Sequence, residues 1–158
     1  MRVGILSDSH DNMHAIRKAV DYCNSQKLDA VLHAGDLVAP FTARDLLKLQ
    51  MPLHIVFGNN DGERLGLKAA FGGHIHVAPY TLSLDGKKIV LMHEPDNLEA
   101  VAVSGLFDLV VYGHTHEVDI RREKTLVVNP GELGGWLTGK STLVVWNTAT
   151  GETELIEL

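Results

Sequence analysis

The chain contains 158 residues, of which 45% are hydrophobic, and it carries a formal net charge of −6. This length suits one domain with a sizeable core, and no apolar run is long enough to span a membrane. The acidic balance argues against a nucleic-acid polymer as partner, but not against a small phosphate ester. The segment RVGILSD after Met1 is too short and too soon charged for a signal peptide, so we expect a cytoplasmic protein without a membrane partner.

Cysteine and histidine usage narrows the chemistry. The single cysteine, Cys23, excludes an internal disulfide and lies in a helix-like pattern, which favours a buried structural thiol over a nucleophile. Nine histidines are a high count for this length. Because histidine can bind metal, transfer protons or simply pack, the spacing of these residues has to decide among the three roles.

Apolar strands and amphipathic helices alternate in the first half of the chain. The first helix shows apolar residues at helical spacing, namely Met13, Ile16, Val20 and Cys23. The predicted elements are a strand over 2–8, a helix over 12–26, a strand over 30–36, a helix around 40–49, a strand over 53–59 and a glycine-interrupted helix over 63–71. Pro40 suits the first turn of the second helix, and Thr42 is a competing start signal. This order implies parallel strands with right-handed crossovers.

The second half has a different pattern, richer in strands. A hairpin is predicted over 80–93, because Asp85 and Gly86 separate two strand-like runs. The remaining predicted elements are a helix over 96–104, a buried strand over 108–115 and four antiparallel strands over 118–123, 125–131, 141–147 and 153–158. One α/β domain with a mixed sheet, or with two packed sheets, is the simplest interpretation.

Polar residues follow five of the predicted strands, at the point where each strand ends. They are Asp8 and His10, then Asp36, Asn59 and His93, and finally His114 and His116. The carboxyl ends of strands are where open α/β sheets place their sites. Imidazole and carboxylate together suit Zn, Mn, Fe, Co or Ni better than Ca or Mg. Seven donors exceed what one tetrahedral ion needs, so we expect two ions that share a carboxylate, with Asp36 as the bridge.

The motif series resembles that of the calcineurin-like metallophosphoesterases. It consists of DSH at 8–10, GD at 35–36, GNND at 58–61, His93 and GHTH at 113–116. The chain length and the NPG at 129–131 resemble the small prokaryotic and archaeal phosphodiesterase branch of that superfamily. The resemblance implies one metallophosphoesterase domain over residues 1–158. Its implied fold is α/β, a four-layer α/β/β/α sandwich of two mixed β-sheets flanked by helices.

The resemblance also implies a metal-dependent phosphodiesterase for small phosphodiesters, with two divalent transition metal ions. Mn is the first choice, and Ni, Fe, Zn or Co are alternatives. One ion would be held by Asp8, His10, Asp36 and His116, and the other by Asp36, Asn59, His93 and His114. We expect a hydroxide shared by the two ions to attack phosphorus in line, opposite the leaving oxygen.

Position 60 departs from the wider family, in which the third residue of GNHD is a histidine that can supply a proton. Asn60 does not titrate, so it can donate a hydrogen bond to a phosphate or leaving-group oxygen but cannot act as a general acid. General acid catalysis is typically worth about 10²–10⁴-fold, so we expect a preference for diesters with a stable leaving anion, such as aryl esters. For Asp61, orienting a ligand histidine or the loop and a plain turn role both stay open.

Other polar residues bear on the substrate rather than on metal binding. Glu94 follows His93 where the branch usually has glycine; it would repel a doubly charged monoester, supply a proton or face solvent. Glu132 stands where a small hydroxyl residue is commoner. Neither Arg44 nor Arg64 has motif support as a phosphate clamp. We expect His33 to be packed or to contact a metal ligand from behind, and His14 to face solvent or to play that same supporting role. The histidines expected to be structural or at the surface are His54, His74 and His76.

Two competing functions share this fold or chemistry. One is a non-catalytic scaffold, because a eukaryotic retromer subunit has the same fold, lacks the same motif histidine and acts mainly as a binding platform. The other is a phosphomonoesterase, which the few basic residues near the motif loops disfavour. Trp136 and Trp146 are expected in the core or at a subunit contact, so a homo-oligomer stays open.

Overall fold

The computed structural model describes all residues from 1 to 158. The four α-helices are α1 Met13–Ser25, α2 Ala43–Leu46, α3 Arg64–Phe71 and α4 Leu98–Ser104. The eleven strands are β1 Arg2–Leu6, β2 Ala30–His33, β3 Leu53–Val56, β4 Ile75–His76, β5 Tyr80–Leu84, β6 Lys87–Leu91, β7 Leu109–Val111, β8 Val118–Arg122, β9 Leu126–Pro130, β10 Thr142–Asn147 and β11 Thr153–Glu157. Two short 3-10 turns cover Pro40–Thr42 and Gly72–His74. None of the helices has the length and apolar character that crossing a membrane requires.

The strands form two mixed sheets. The first sheet has the order β11-β10-β1-β2-β3-β4, in which β1 to β4 are parallel and β10 and β11 are antiparallel additions. The second has the order β5-β6-β7-β9-β8, in which β6, β7 and β9 are parallel and the two edge strands are antiparallel. The register pairs Leu6 with His33 in the first sheet and Leu91 with Val111 in the second, so neighbouring strands end at nearly the same level.

Three apolar clusters separate four layers. The first cluster packs α1, α2 and α3 against the outer face of the first sheet through residues such as Ile16, Leu46 and Phe71. The second lies between the two sheets, where Ile5 and Leu32 belong to the same cluster as Leu91 and Val111. The third packs α4 against the outer face of the second sheet through Met92, Leu98 and Ala102. The predicted α/β/β/α sandwich of two mixed sheets is therefore confirmed.

The structure corrects several element predictions. The last strands do not form one antiparallel run, because β9 lies parallel to β7 while β10 joins the first sheet beside β1. The predicted helix around 40–49 is a 3-10 turn followed by the single-turn helix α2, with Pro40 in the first turn. The predicted strands over 30–36 and 53–59 end earlier, at His33 and Val56, because the motif residues that follow lie in loops. The two-residue strand β4 was not predicted.

Helix α1 begins at a cap that also reaches the loop after β9. Asn12 Oδ1 accepts a hydrogen bond from Ala15 N at 3.2 Å, and its side-chain nitrogen donates to Gly134 O at 2.7 Å. The apolar face of α1 includes Cys23, whose side chain is fully buried. Burial raises the pKa of Cys23 to about 12, so the prediction of a structural thiol is confirmed.

Candidate metal centre

The seven candidate ligands lie in loops that follow β1, β2, β3, β6 and β7, at one end of both sheets. Backbone hydrogen bonds join these loops: His10 N donates to Asp36 O at 3.0 Å, and Gly113 N donates to His93 O at 3.0 Å. The N–H of His114, in the loop after β7 of the second sheet, donates at 3.1 Å to Asp8 Oδ2, in the loop after β1 of the first sheet. The strand-end residues are therefore brought together across the two sheets, as the sequence predicts.

An unusual backbone conformation is shared by most of the candidate ligands. Five of the seven have left-handed φ values between 40° and 68°, namely Asp8, His10, Asp36, His114 and His116. Residues other than glycine rarely adopt this region, and each such residue costs about 1–3 kcal/mol. Such strained residues cluster at active sites and ligand clamps. The concentration of strain at these positions therefore indicates a functional site.

The first group of donors comes from the loops after β1 and β7. Nε2 of His116 lies 3.4 Å from Asp8 Oδ1, and Nε2 of His10 lies 3.8 Å from the same oxygen. The two imidazole nitrogens are only 3.3 Å apart. A contact with Asp8, opposed by burial and supported by the charge of Asp36, raises the pKa of His10.

The second group of donors joins the loops after β3, β6 and β7. Asn59 Oδ1 lies 2.7 Å from His93 Nε2 and 2.8 Å from His114 Nδ1. His93 is almost fully buried, whereas Asn59 and His114 are exposed. One side of the group is therefore fixed in the protein interior, and the other side is open to a ligand.

Asp36 lies between the two groups. Its Oδ2 is 3.5 Å from His10 Nε2, and its Oδ1 is 3.4 Å from His93 Nε2. Burial alone would raise the pKa of Asp36, but its contacts with His93 and Asn60 outweigh burial and hold this pKa well below its usual range. Asp36 is therefore ionised and presents one carboxylate oxygen to each group.

Two of the histidines have orientations that expose lone pairs to the site. Nδ1 of His93 donates to Ala34 O at 2.7 Å, and Nδ1 of His116 donates to Glu132 Oε2 at 3.0 Å. In a neutral imidazole, Nε2 is then an acceptor. In both rings Nε2 faces oxygen acceptors, and in His116 it also faces a second imidazole nitrogen. A convergence of acceptors with imidazole and carboxylate chemistry fits a divalent transition metal ion.

Close approach of backbone strengthens this fit. Gly58 lies against the Asp36 side chain, and a Cβ built on Gly58 would overlap Oδ1 of Asp36. A Cβ built on Gly113 would overlap Ser7 Oγ and would also come too close to Asp8 Oδ2. Two glycines thus allow the carboxylates of Asp8 and Asp36 to lie at the centre of the site.

A family model for the calcineurin-like phosphoesterase superfamily domain matches residues 1–151. The chain belongs to the calcineurin-like phosphoesterase superfamily. It is 37% identical, over 159 aligned residues, to a phosphodiesterase of Methanocaldococcus jannaschii, with 96% of each chain covered. It is also similar to the solved structure of an archaeal phosphodiesterase, with 36% identity, a TM-score of 0.92 and 100% of both chains covered.

More distant solved structures share the fold alone. A phosphoesterase from E. coli has a TM-score of 0.70 at 19% identity, covering 99% of this chain and 98% of its own. Vacuolar protein sorting 29 from Cryptosporidium parvum has a TM-score of 0.67 at 19% identity, covering 99% and 96%. Membership of the calcineurin-like superfamily implies divalent metal cofactors. Two groups of candidate ligands have donor atoms within 4.8 Å of one another: Asp8 with His10 and His116, and Asp8 with Asp36 and His93.

Asn60 and Asp61 both contact the loop of Asp36 in this calcineurin-like chain. The Asn60 side-chain nitrogen donates to Asp36 Oδ2 at 2.7 Å, and its backbone N–H donates to Oδ1 at 2.8 Å. Asp61 is buried and accepts hydrogen bonds from Gly58 N and Val38 N, both at 2.7 Å, and from Asp36 N at 3.2 Å. Of the two roles left open for Asp61, the contacts fit orientation of the loop. A contact of Asn60 with substrate stays a prediction.

Glu132 is the residue whose role the sequence missed. It is 1% exposed, and its carboxylate accepts backbone hydrogen bonds from Trp136 at 3.0 Å, Leu137 at 2.8 Å and Thr138 at 2.5 Å. Burial alone would raise the pKa of Glu132, but the bonds from Thr138, His116 and Leu137 outweigh burial and lower this pKa. Glu132 therefore fixes the ring of His116 and leaves its Nε2 facing the site.

Asn129 holds the second-sheet loop from the end of β9. Its side-chain nitrogen donates to Gly113 O at 2.9 Å and to Thr115 Oγ1 at 3.0 Å. Candidate site residues were found among the polar residues at the ends of five predicted strands. The same criterion at the end of β9 points to Asn129 and Glu132. The signal was therefore present in the sequence, in the NPGE that follows the apolar run.

The remaining histidines lie away from the donor groups or use their nitrogens within the protein. His33 is buried, and burial lowers its pKa to about 4, while its two nitrogens bond Ser9 Oγ and Gly35 N. His76 stacks on the ring of Tyr80 at 3.8 Å, and His54 lies 6.3 Å from that ring. His14 and His74 are exposed. His33 is therefore packed and His14 faces solvent, and His54, His74 and His76 are structural or at the surface, as expected.

The two tryptophans differ. Trp146 is buried between the sheets as predicted, whereas Trp136 is 64% exposed, so a core position for it is wrong. Its indole nitrogen donates to His10 O at 3.0 Å, which places the ring at the rim of the site because the loop after β9 is held by Glu132. Its role in a subunit contact stays a prediction.

A cavity of about 650 Å³ adjoins the donor groups on the side of His93 and Gly58. It extends along the outer face of the second sheet, past Met92 and Val101. Arg64 lies at its wall, whereas Arg44 is on α2 and pairs with Asp45 at 3.7 Å. Of the two arginines closest in sequence to the motifs, Arg64 alone lines this cavity.

Proposed function

We propose that the chain is a metal-dependent phosphodiesterase that hydrolyses small phosphodiesters at the site formed by the seven candidate ligands. The observation that carries the proposal is the position of Asp36, whose two oxygens face His10 on one side and His93 on the other. A carboxylate shared in this way supports two divalent ions about 3.5–4 Å apart. The similarity to an archaeal phosphodiesterase, found in both sequence and structure, supports the substrate class.

The proposed ligand sets follow the two donor groups. The first comprises Asp8, His10, Asp36 and His116, and the second comprises Asp36, Asn59, His93 and His114. We take Mn as the first candidate, with Ni, Fe, Zn and Co as alternatives, because imidazole and carboxylate suit all of them. The proposal treats residues 1–158 as one metallophosphoesterase domain in the cytoplasm.

In the proposed mechanism the chain mainly positions groups. When bound, the two ions would supply an activated water for in-line attack and would offset the charge of the phosphoryl oxygens. Ala34 O and Glu132 hold the rings of His93 and His116 in orientations that present Nε2. Asn60 holds Asp36 through two hydrogen bonds, so the shared carboxylate keeps its position when substrate binds.

The proposed site has no general acid at position 60. Asn60 does not titrate, so at this position the leaving oxygen receives at most a hydrogen bond. We therefore expect aryl diesters to be hydrolysed faster than alkyl diesters. The ratio of the two rates should be larger than an enzyme with a general acid would show. Single-turnover rates for both ester types, measured under conditions where chemistry limits the rate, test this expectation. Equal rates for the two types contradict it.

Charge beside the site favours diesters over monoesters. The carboxylates of Glu94 and Asp96 line the adjoining cavity, and Arg64 is its one basic wall residue. A monoester dianion would meet two carboxylates and a single guanidinium, whereas a diester carries one negative charge. The same charges make the phosphomonoesterase alternative less suitable.

The proposed function is tested with protein loaded with Mn²⁺ or Ni²⁺, using bis(4-nitrophenyl) phosphate and 4-nitrophenyl phosphate. We expect metal-dependent release of nitrophenol from the diester, at least 10-fold above the monoester, and loss of at least 100-fold in Asp36→Asn. Asp21→Asn, which removes the same charge from an exposed position on α1, is the matched control and keeps the activity. Two bound ions with no hydrolysis of either ester would instead support a non-catalytic scaffold.

A further inference from the structure

The cavity beside the candidate metal centre takes no part in the mechanism above. Its volume of about 650 Å³ lies within the range of about 300–1,000 Å³ that is typical of small-molecule sites. Most of its wall is apolar, with Phe57, Val77, Pro79, Met92, Val101 and Phe107. Because Gly58 and His93 also belong to the wall, a phosphodiester held at the metal centre would have one ester arm directed into the cavity or along its mouth.

Arg64 stands at the boundary between the cavity and the metal centre. Its guanidinium donates to Gly58 O at 3.2 Å, one residue before Asn59, and lies 5.3 Å from the centre of the Phe57 ring. Arg64 makes no ion pair, although Glu94 and Asp96 line the same cavity. A guanidinium fixed by a carbonyl and an aromatic ring, with its charge unmatched, is suited to an anionic oxygen.

The charges at the rim restrict what the cavity can hold. Glu94 and Asp96 are exposed, line the cavity and make no ion pair or side-chain hydrogen bond. They would repel a second phosphate or a carboxylate on the bound arm. The apolar wall, in contrast, gains from the burial of an uncharged ring.

We propose that this cavity is the subsite for an uncharged aromatic ester arm of the phosphodiester, and that Arg64 contacts the phosphoryl oxygens at its mouth. The proposal rests on the proposed function, because the diester at the metal centre places the arm. It adds a substrate class to that function: phosphodiesters with at least one planar, uncharged aromatic group.

The test measures binding rather than turnover, by isothermal titration calorimetry with the Mn²⁺-loaded protein. The probes are dibenzylphosphinate and diethylphosphinate, two non-hydrolysable anions in which a CH₂ group replaces each ester oxygen. They share the charged centre and differ in their arms. Burial of one aromatic ring in the cavity predicts that dibenzylphosphinate binds about 10–100-fold more tightly than diethylphosphinate.

Two tryptophan variants locate the arm. Thr81 lines the cavity from β5, and Ser83 is two residues along the same strand, exposed on the same face but outside the cavity. Thr81→Trp fills the cavity and is expected to reduce the preference for dibenzylphosphinate to less than about 3-fold. Ser83→Trp adds the same side chain to the same strand and is expected to keep the wild-type preference.

A third variant separates the arm from the charged centre. Arg64→Met keeps an apolar stem against Phe57 but removes the guanidinium, so we expect weaker binding of both phosphinates by the same factor, about 3–10-fold. A loss confined to one of the two phosphinates would show that Arg64 does not contact the shared anionic group, and that part of the proposal would be wrong.

The outcomes distinguish this subsite from the proposed function. An aromatic preference that Thr81→Trp removes, in a protein without diesterase activity, keeps the subsite and rejects the function. Diesterase activity with no aromatic preference in the wild type, or with equal effects of Thr81→Trp and Ser83→Trp, rejects the subsite and keeps the function. Failure of the wild type to bind either phosphinate also rejects the subsite.

Discussion

Replacement of Glu132 by glutamine tests whether a residue outside the ligand set controls the metal centre. The substitution keeps the size of the side chain and removes its charge. One of the two carboxylate oxygens becomes an NH₂ group, which donates instead of accepting. Glu132 Oε1 serves Leu137 N and Thr138 N, and Oε2 serves Trp136 N and His116 Nδ1, so two of the four donors lose their acceptor in either orientation of the amide.

The magnitude follows from these contacts. A hydrogen bond to a charged group contributes about 1.5–3 kcal/mol, and water partly replaces those at the rim, so we expect a loss of about 2–4 kcal/mol in the free energy of unfolding. For a chain of this size that corresponds to a fall in Tm of about 5–15 °C. Loss of a group that orients a ligand histidine typically weakens metal binding about 10–100-fold.

Two assays measure the effect in the absence of turnover. Competition with a chromogenic chelator gives the affinity for Mn²⁺, and ¹⁵N NMR of the histidine rings reports whether His116 keeps its Nδ1 proton. The matched control is Glu117→Gln, which removes the same charge next to His116 from an exposed side chain. If Glu132→Gln binds Mn²⁺ as tightly as the control does and keeps the His116 tautomer, the positioning role of Glu132 is wrong.

Three further predictions concern residues around the donor groups. Burial lowers the pKa of His33 to about 4, so the free energy of unfolding of the metal-free protein should fall by up to about 3 kcal/mol as the pH drops from 6.5 toward 4. Urea unfolding should show no such fall in His33→Gln, and parallel pH curves for the two proteins contradict the prediction. Gly58→Ala brings Cβ onto Asp36 Oδ1, so chelator competition should show at least 10-fold weaker metal binding, and an unchanged affinity refutes the close-approach argument. The carboxylate of Asp61 accepts three backbone N–H groups, and Asp61→Asn replaces one of its oxygens with a donor. Urea unfolding should then show a loss of about 1–3 kcal/mol in the free energy of unfolding, whereas wild-type stability rules out a role of Asp61 in holding the loop.

Local pattern was sufficient for most of the fold. The helical spacing from Met13 to Cys23 predicts α1 to within one residue at each end, and the Asp85-Gly86 turn predicts the hairpin of β5 and β6. Both depend on interactions between residues close in sequence. The position of the candidate ligands was also predictable, because the register of parallel strands aligns their carboxyl ends at one edge whatever the order of the strands in the sheet.

Long-range pairing lay outside what the pattern could supply. The run over 141–147 alternates as a strand in either sheet would, and only its packing beside β1 decides that it belongs to the first sheet. The prediction of a helix around 40–49 is wrong because the apolar pattern there covers too few residues to specify a long helix. Only the single turn that packs on α1 forms. Glu132 acquires its role only when the loop after β9 folds back over it and His116 approaches from the other side.

The central claim is that two ions, shared through Asp36, are required for diester hydrolysis. The most direct measurement follows the initial rate on bis(4-nitrophenyl) phosphate and the bound metal content of the same samples, by mass spectrometry, as Mn²⁺ is added to the metal-free protein. The claim predicts that the rate rises to a plateau at two bound ions per chain. Full activity at one ion per chain, or activity in the metal-free protein, would contradict it.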